Sequence, residues 1–110
     1  MFDVQMASST VAVPPKMGVF LTQIAETSDV ETALWKILTD YTDLKIRSLR
    51  QRIRMFETKW GMRFEEFVVR DVQPPAGPEV YAYEVESDFW EWEEAETLLR
   101  HYEDVRARWT

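Results

Sequence analysis

The chain has 110 residues, a formal net charge of −7, and 45% hydrophobic against 30% charged residues. That is enough for one domain with a modest core, of the soluble globular or coiled-coil kind rather than the disordered kind. The acidity argues against bulk binding to nucleic acid or acidic membranes, and the absence of cysteine excludes disulfides, thiolate nucleophiles and sulfur metal sites. No apolar run reaches 18 residues, and the start carries Asp3 with no basic stretch, so neither a membrane span nor a signal peptide is expected and the expected location is cytoplasmic.

Residues 1–16 hold no sustained pattern. Ser8-Ser9-Thr10 and Pro14-Pro15 interrupt it and Val11–Val13 alternates only briefly, which predicts an arm, with a short strand as the most structure it would take. Met17 to Ala25, with Val19, Phe20, Leu21 and Ile24 apolar, predicts a short helix that covers part of the next element. The expected organisation is thus an N-terminal arm with a short helix over 1–28 and a helical hairpin domain over 29–110.

The central element is a basic helix from Asp29 to Trp60. Ser28 with Glu31 three residues on has the form of a capping box, and Gly61 stands where a helix ends in a left-handed residue. No Pro or Gly interrupts a span that would measure about 48 Å at 1.5 Å per residue. Ile46, Leu49, Ile53, Phe56 and Trp60 step by three and four along one seam; Val30, Leu34, Ile37, Tyr41 and Leu44 form an earlier stripe. On a helical wheel the two lie about 120° apart, so one partner helix cannot cover both. Leu34, Ile37, Tyr41 and Leu44 are therefore candidate partner-binding residues, and a dimer or hetero-complex is expected.

Between Gly61 and the last helix two readings compete. Met62 to Phe67 reads as helical turns, but Phe67–Val72 and Val80–Val85 have strand-like composition around a Pro- and Gly-rich stretch at 73–78, which would make a small β-hairpin at 67–85. The last helix is expected over about Val85 to Trp109, capped by Asp88 with Glu91. Its seam runs through Phe89, Trp92, Ala95, Leu99, Tyr102 and Trp109. Its acidic start (Glu84, Glu86, Asp88, Glu91, Glu93, Glu94 and Glu96) is expected beside the basic end of the first long helix, and Arg100, Arg106 and Arg108 are expected opposite Glu26, Asp29 and Glu31. The expected fold class is all-α: a long antiparallel helical hairpin, coiled-coil-like.

Candidate chemistry is sparse. His101 is the only histidine, Arg100-His101 lacks the spacing of an Arg-x-x-x-x-His ribonuclease motif, and three glycines make no phosphate loop. A Glu-rich first helical turn is ordinarily a solvated, dipole-matched face. No enzyme activity, catalytic residue, cofactor or metal is expected. Lys45 to Arg54 holds five basic residues in ten, with Arg47, Arg50 and Arg54 on one flank; this is the one patch suited to nucleic acid, unless the acidic helix consumes it. Trp90 and Trp92 point nearly opposite ways, so Trp92 joins the seam and Trp90 is a candidate interface anchor.

Lys59-Trp60-Gly61-Met62-Arg63-Phe64-Glu65-Glu66-Phe67, followed by Tyr83-Glu84-Val85-Glu86-Ser87-Asp88-Phe89-Trp90-Glu91-Trp92-Glu93, resembles small acidic prokaryotic helical proteins with a "YGMSFEEF"-like turn and an "EDYWEWE"-like second helix. These are often antitoxin-like partners of small ribonuclease-type toxins. The resemblance covers about Leu44 to Tyr102; Arg63 replaces a usual small polar residue, and residues 1–28 and the Pro-rich spacer fall outside it. It implies an interaction protein of a toxin-antitoxin system that binds and neutralises a toxin, with no catalytic residues to carry over. The alternatives are a structural coiled-coil adaptor or self-associating bundle, and a weak nucleic-acid-binding regulator using Lys45–Arg54.

Overall fold

The computed structural model describes residues 2–6, 9–72 and 79–109, with side chains over 12–70 and 83–109. The elements in order are β1 (Phe2–Met6), β2 (Ser9–Val13), α1 (Pro15–Ala25), α2 (Val30–Trp60), α3 (Phe64–Val72) and α4 (Glu79–Trp109). Among the described residues four helices make the fold, and α4 packs antiparallel against the second half of α2. The chain divides into two compact units, Met1–Asp43 and Leu44–Thr110, with α2 contributing to both.

In the first unit the expected arm is a two-stranded antiparallel hairpin, β1 against β2, with Phe2 opposite Val13 and Met6 opposite Ser9. Pro15 then opens α1, a position that uses the fixed φ of proline and wastes no donor. Its C-terminus is closed twice: Glu26 takes left-handed φ 55° with its N–H donating to the Thr22 carbonyl, and Lys36 Nζ donates to the Ala25 carbonyl at 2.7 Å. Val13 and Val30 are buried, with Leu21 and Leu34 packed against them. The α2 cap falls one residue later than the sequence suggests. Asp29, not Ser28, accepts the Thr32 backbone N–H at 2.9 Å, and its bonds from Thr32 hold the Asp29 carboxyl below its usual range.

In the second unit α2 contributes Leu49, Ile53 and Phe56, α3 contributes Phe67, and α4 contributes Val85, Trp92 and Ala95 to one core. Trp92 is its centre, fully buried. Phe56 stacks on it at 5.5 Å and 17°, and Phe67 and Phe64 tilt against it at 5.0 and 5.5 Å. Gly61, at φ 66°, ends α2, and its N–H donates to the Glu57 carbonyl at 2.8 Å. The turn lets α3 fold across the aromatic end of the hairpin.

Residues 67–72 are helical and α4 runs from Glu79, so of the two readings of 67–85 the helical one holds and the β-hairpin does not; 73–78 lie outside the described residues. The start of α4 therefore precedes Val85, and Asp88 is not a cap but a buried mid-helix side chain, 8% exposed. It accepts the Trp60 indole N–H at 2.9 Å and faces Lys59 Nζ at 2.6 Å, while Glu84 takes the same ammonium at 2.8 Å. Those tertiary bonds, with Val85 in the core, override the strand propensity of Val80 to Val85. At the basic end of α4, Arg108 pairs with Asp104, and Arg106 lies over the Trp109 ring at 5.9 Å. Farther in, Arg50 of α2 pairs with Glu103 at 2.9 Å.

Candidate interaction surface

Trp90 and Trp92 are separated by about 200° around α4, and the consequence is large: Trp92 is 0% exposed and Trp90 60%. Trp90 is nonetheless held. Its ring meets the edge of Phe89 at 5.3 Å, and Phe89 leans on Phe64 at 5.9 Å, which is itself in contact with Trp92. A solvent-facing indole with a fixed base loses little side-chain freedom on binding. Tyr83, seven residues earlier on the same face and 75% exposed, adds a second aromatic about 10.5 Å away along the axis.

Helix spacing places three carboxylates around that indole. Glu86 stands one turn before Trp90, and Glu93 and Glu94 stand one turn after. Thr97, a further turn on and exposed, continues the face without charge. Glu86 and Glu94 are exposed and Glu93 is half-buried, and among the described residues none of the three is in an ion pair. The inward neighbour Glu96 is different: burial, then the nearby Glu65, pushes its carboxyl up from the usual range. Trp92 Nε1 has no acceptor at ordinary hydrogen-bond distance, and the Glu96 carboxylate is the group close enough to interact with it.

The early stripe is divided. Leu34 is half-buried against Val13 and Val30, and Ile37 is half-buried, whereas Tyr41 and Leu44 are 52% and 59% exposed. Arg47, Arg50 and Arg54 all stand exposed on α2, but Arg50 is engaged by Glu103. Lys59, at the end of the same basic run, is held above its usual range by its bonds to Asp88 and then Glu84. Basic charge on this flank is thus partly answered from within the chain.

One apolar surface lies outside the candidates that the sequence suggests. Helix α1 buries its small residues, Gly18 and Ala25, and turns Met17, Phe20 and Ile24 outward at 54%, 52% and 70% exposure. The three-and-four spacing is visible in the sequence; it does not reveal that small residues, which let backbones approach closely, win the inward side.

Among the described residues there is no group of three or more His, Asp or Glu that could hold a metal ion, and no helix is long and apolar enough to cross a membrane. Comparison with protein-family models, with curated proteins and with solved structures finds no match.

Proposed function

We propose that this chain is a protein-interaction module, antitoxin-like, that binds and neutralises a basic partner, a small ribonuclease-type toxin, in the cytoplasm. The observation that carries the reading is Trp90: a buttressed, 60% exposed indole among three carboxylates that make no ion pair among the described residues. A desolvated aromatic anchor supplies affinity, and the acid around it selects a cationic surface such as an RNA-binding groove and speeds encounter with it. No catalytic step is assigned to the chain itself. Nucleic-acid binding through Arg47, Arg50 and Arg54 is the less favoured reading, because Glu103 engages the middle residue of that flank.

Purification of the tagged chain from its native operon tests this. The expected result is a small basic protein in stoichiometric amount, released by high salt and lost from the Trp90→Ala variant. Recovery of no basic protein, or undiminished recovery with Trp90→Ala, contradicts the reading.

A further inference from the structure

Among the residues of the first unit whose side chains are described, Met17, Phe20 and Ile24 of α1 and Trp35, Leu38 and Tyr41 of α2 are exposed. The outward face of α1 is continuous: Pro14, Met17, Phe20, Leu21 and Ile24 line one apolar groove, with Lys16 at its edge.

We infer that this groove is closed by α1 of a second copy of the same chain, laid antiparallel across it about a two-fold axis between Phe20 and Leu21. The face is complementary to itself under that operation. Met17 of one copy then meets Ile24 of the other, and Phe20 meets Leu21, so the seam of three-and-four spacing fills its own gaps. The ends match in charge as well. Lys16 opens α1 and Glu26 closes it, both exposed and neither in an ion pair among the described residues. Ten residues, about 15 Å of helix, separate them. Turning one copy end for end sets each Lys16 beside the other copy's Glu26, at a helix C-terminus that favours a cation. This surface belongs to α1, and the Trp90 face belongs to α4. The two proposals stand on separate observations.

Sedimentation equilibrium over a range of concentrations at low salt reads the association directly. The wild-type chain is expected to form a dimer. Phe20→Glu, which replaces an exposed residue and should keep the wild-type far-UV circular dichroism, is expected to be monomeric throughout. Lys16→Glu or Glu26→Lys alone sets like charges together twice in the dimer and should weaken it about tenfold, less at high salt. The double swap restores attraction and should return the dissociation constant to within about twofold of wild type. A wild-type chain that stays monomeric overturns the inference and leaves the groove to a different protein. A dimer indifferent to Phe20→Glu, or charge swaps that fail to rescue each other, overturns it equally, by placing the contact elsewhere or in another register.

Discussion

The indole N–H of Trp60 donates to Asp88 Oδ2 at 2.9 Å, joining the last residue of α2 to the middle of α4. The same carboxylate faces Lys59 Nζ at 2.6 Å. One buried acid thus fixes two consecutive side chains just before Gly61 turns the chain, and so sets the register of the hairpin at the end where α3 crosses it.

Replacing that acid should therefore destabilise the fold in two separable parts. Asp88→Ala leaves both partners unanswered and is expected to cost about 2 kcal/mol in urea unfolding. Asp88→Asn keeps an acceptor for Trp60 and loses only the charge beside Lys59, so about half of that is expected, shrinking further in high salt. Equal losses for the two variants would mean that charge alone holds the joint.

How much of this was legible in the sequence depends on how far each signal reaches. Ile46, Leu49, Ile53 and Phe56 are all buried, as their spacing requires, because a seam is a property of one helix alone. The turn at Gly61 was legible for the same reason. Asp88 was not: an acid three residues before a Glu reads as a cap, and only the arrival of Trp60 and Lys59 from α2 makes it a buried mid-helix acceptor. Nor was the start of α4, where Val and Tyr favour strand locally and tertiary bonds decide otherwise. The hairpin of β1 and β2 needs ten paired residues, of which only Val11 to Val13 gave a visible alternation. The exposed side of α1 depends on which neighbours come close, and no pattern within its eleven residues carries that.

Gly61 gives a test confined to the backbone. A Cβ built there meets nothing within 4 Å, so Gly61→Ala meets no steric obstacle and pays only for a left-handed φ of 66°. A loss of about 1 kcal/mol by urea denaturation is expected. A much larger loss would show that the turn is crowded.

Glu96 should show its partial burial in pH dependence. Its carboxyl is raised above the ordinary value of 4.5, so the folded state holds the proton more tightly than the unfolded state does. Stability from this group is greatest below that value and falls as pH rises through the folded pKa. Glu96→Gln removes the ionisation and retains an acceptor for Trp92. The variant should be more stable than the parent at neutral pH, with the difference fading in acid. Thermal unfolding across pH checks this, and a variant less stable at neutral pH would mean that the Glu96 carboxylate is a net support.

On the proposed reading the two tryptophans on either side of Glu91 divide the labour of folding and binding, and a paired substitution tests that division most directly. Trp92→Ala empties the middle of the aromatic core and should cost about 3–5 kcal/mol of folding stability. Trp90→Ala removes a 60% exposed ring and should leave the urea midpoint close to that of the parent. Co-expressed with the basic protein recovered from the operon, the parent chain should relieve growth arrest and the Trp90→Ala variant, folded and present at the same level, should not. Relief by Trp90→Ala equal to that by the parent, or unfolding of Trp90→Ala as severe as that of Trp92→Ala, would contradict the assignment of Trp90 as the partner's anchor.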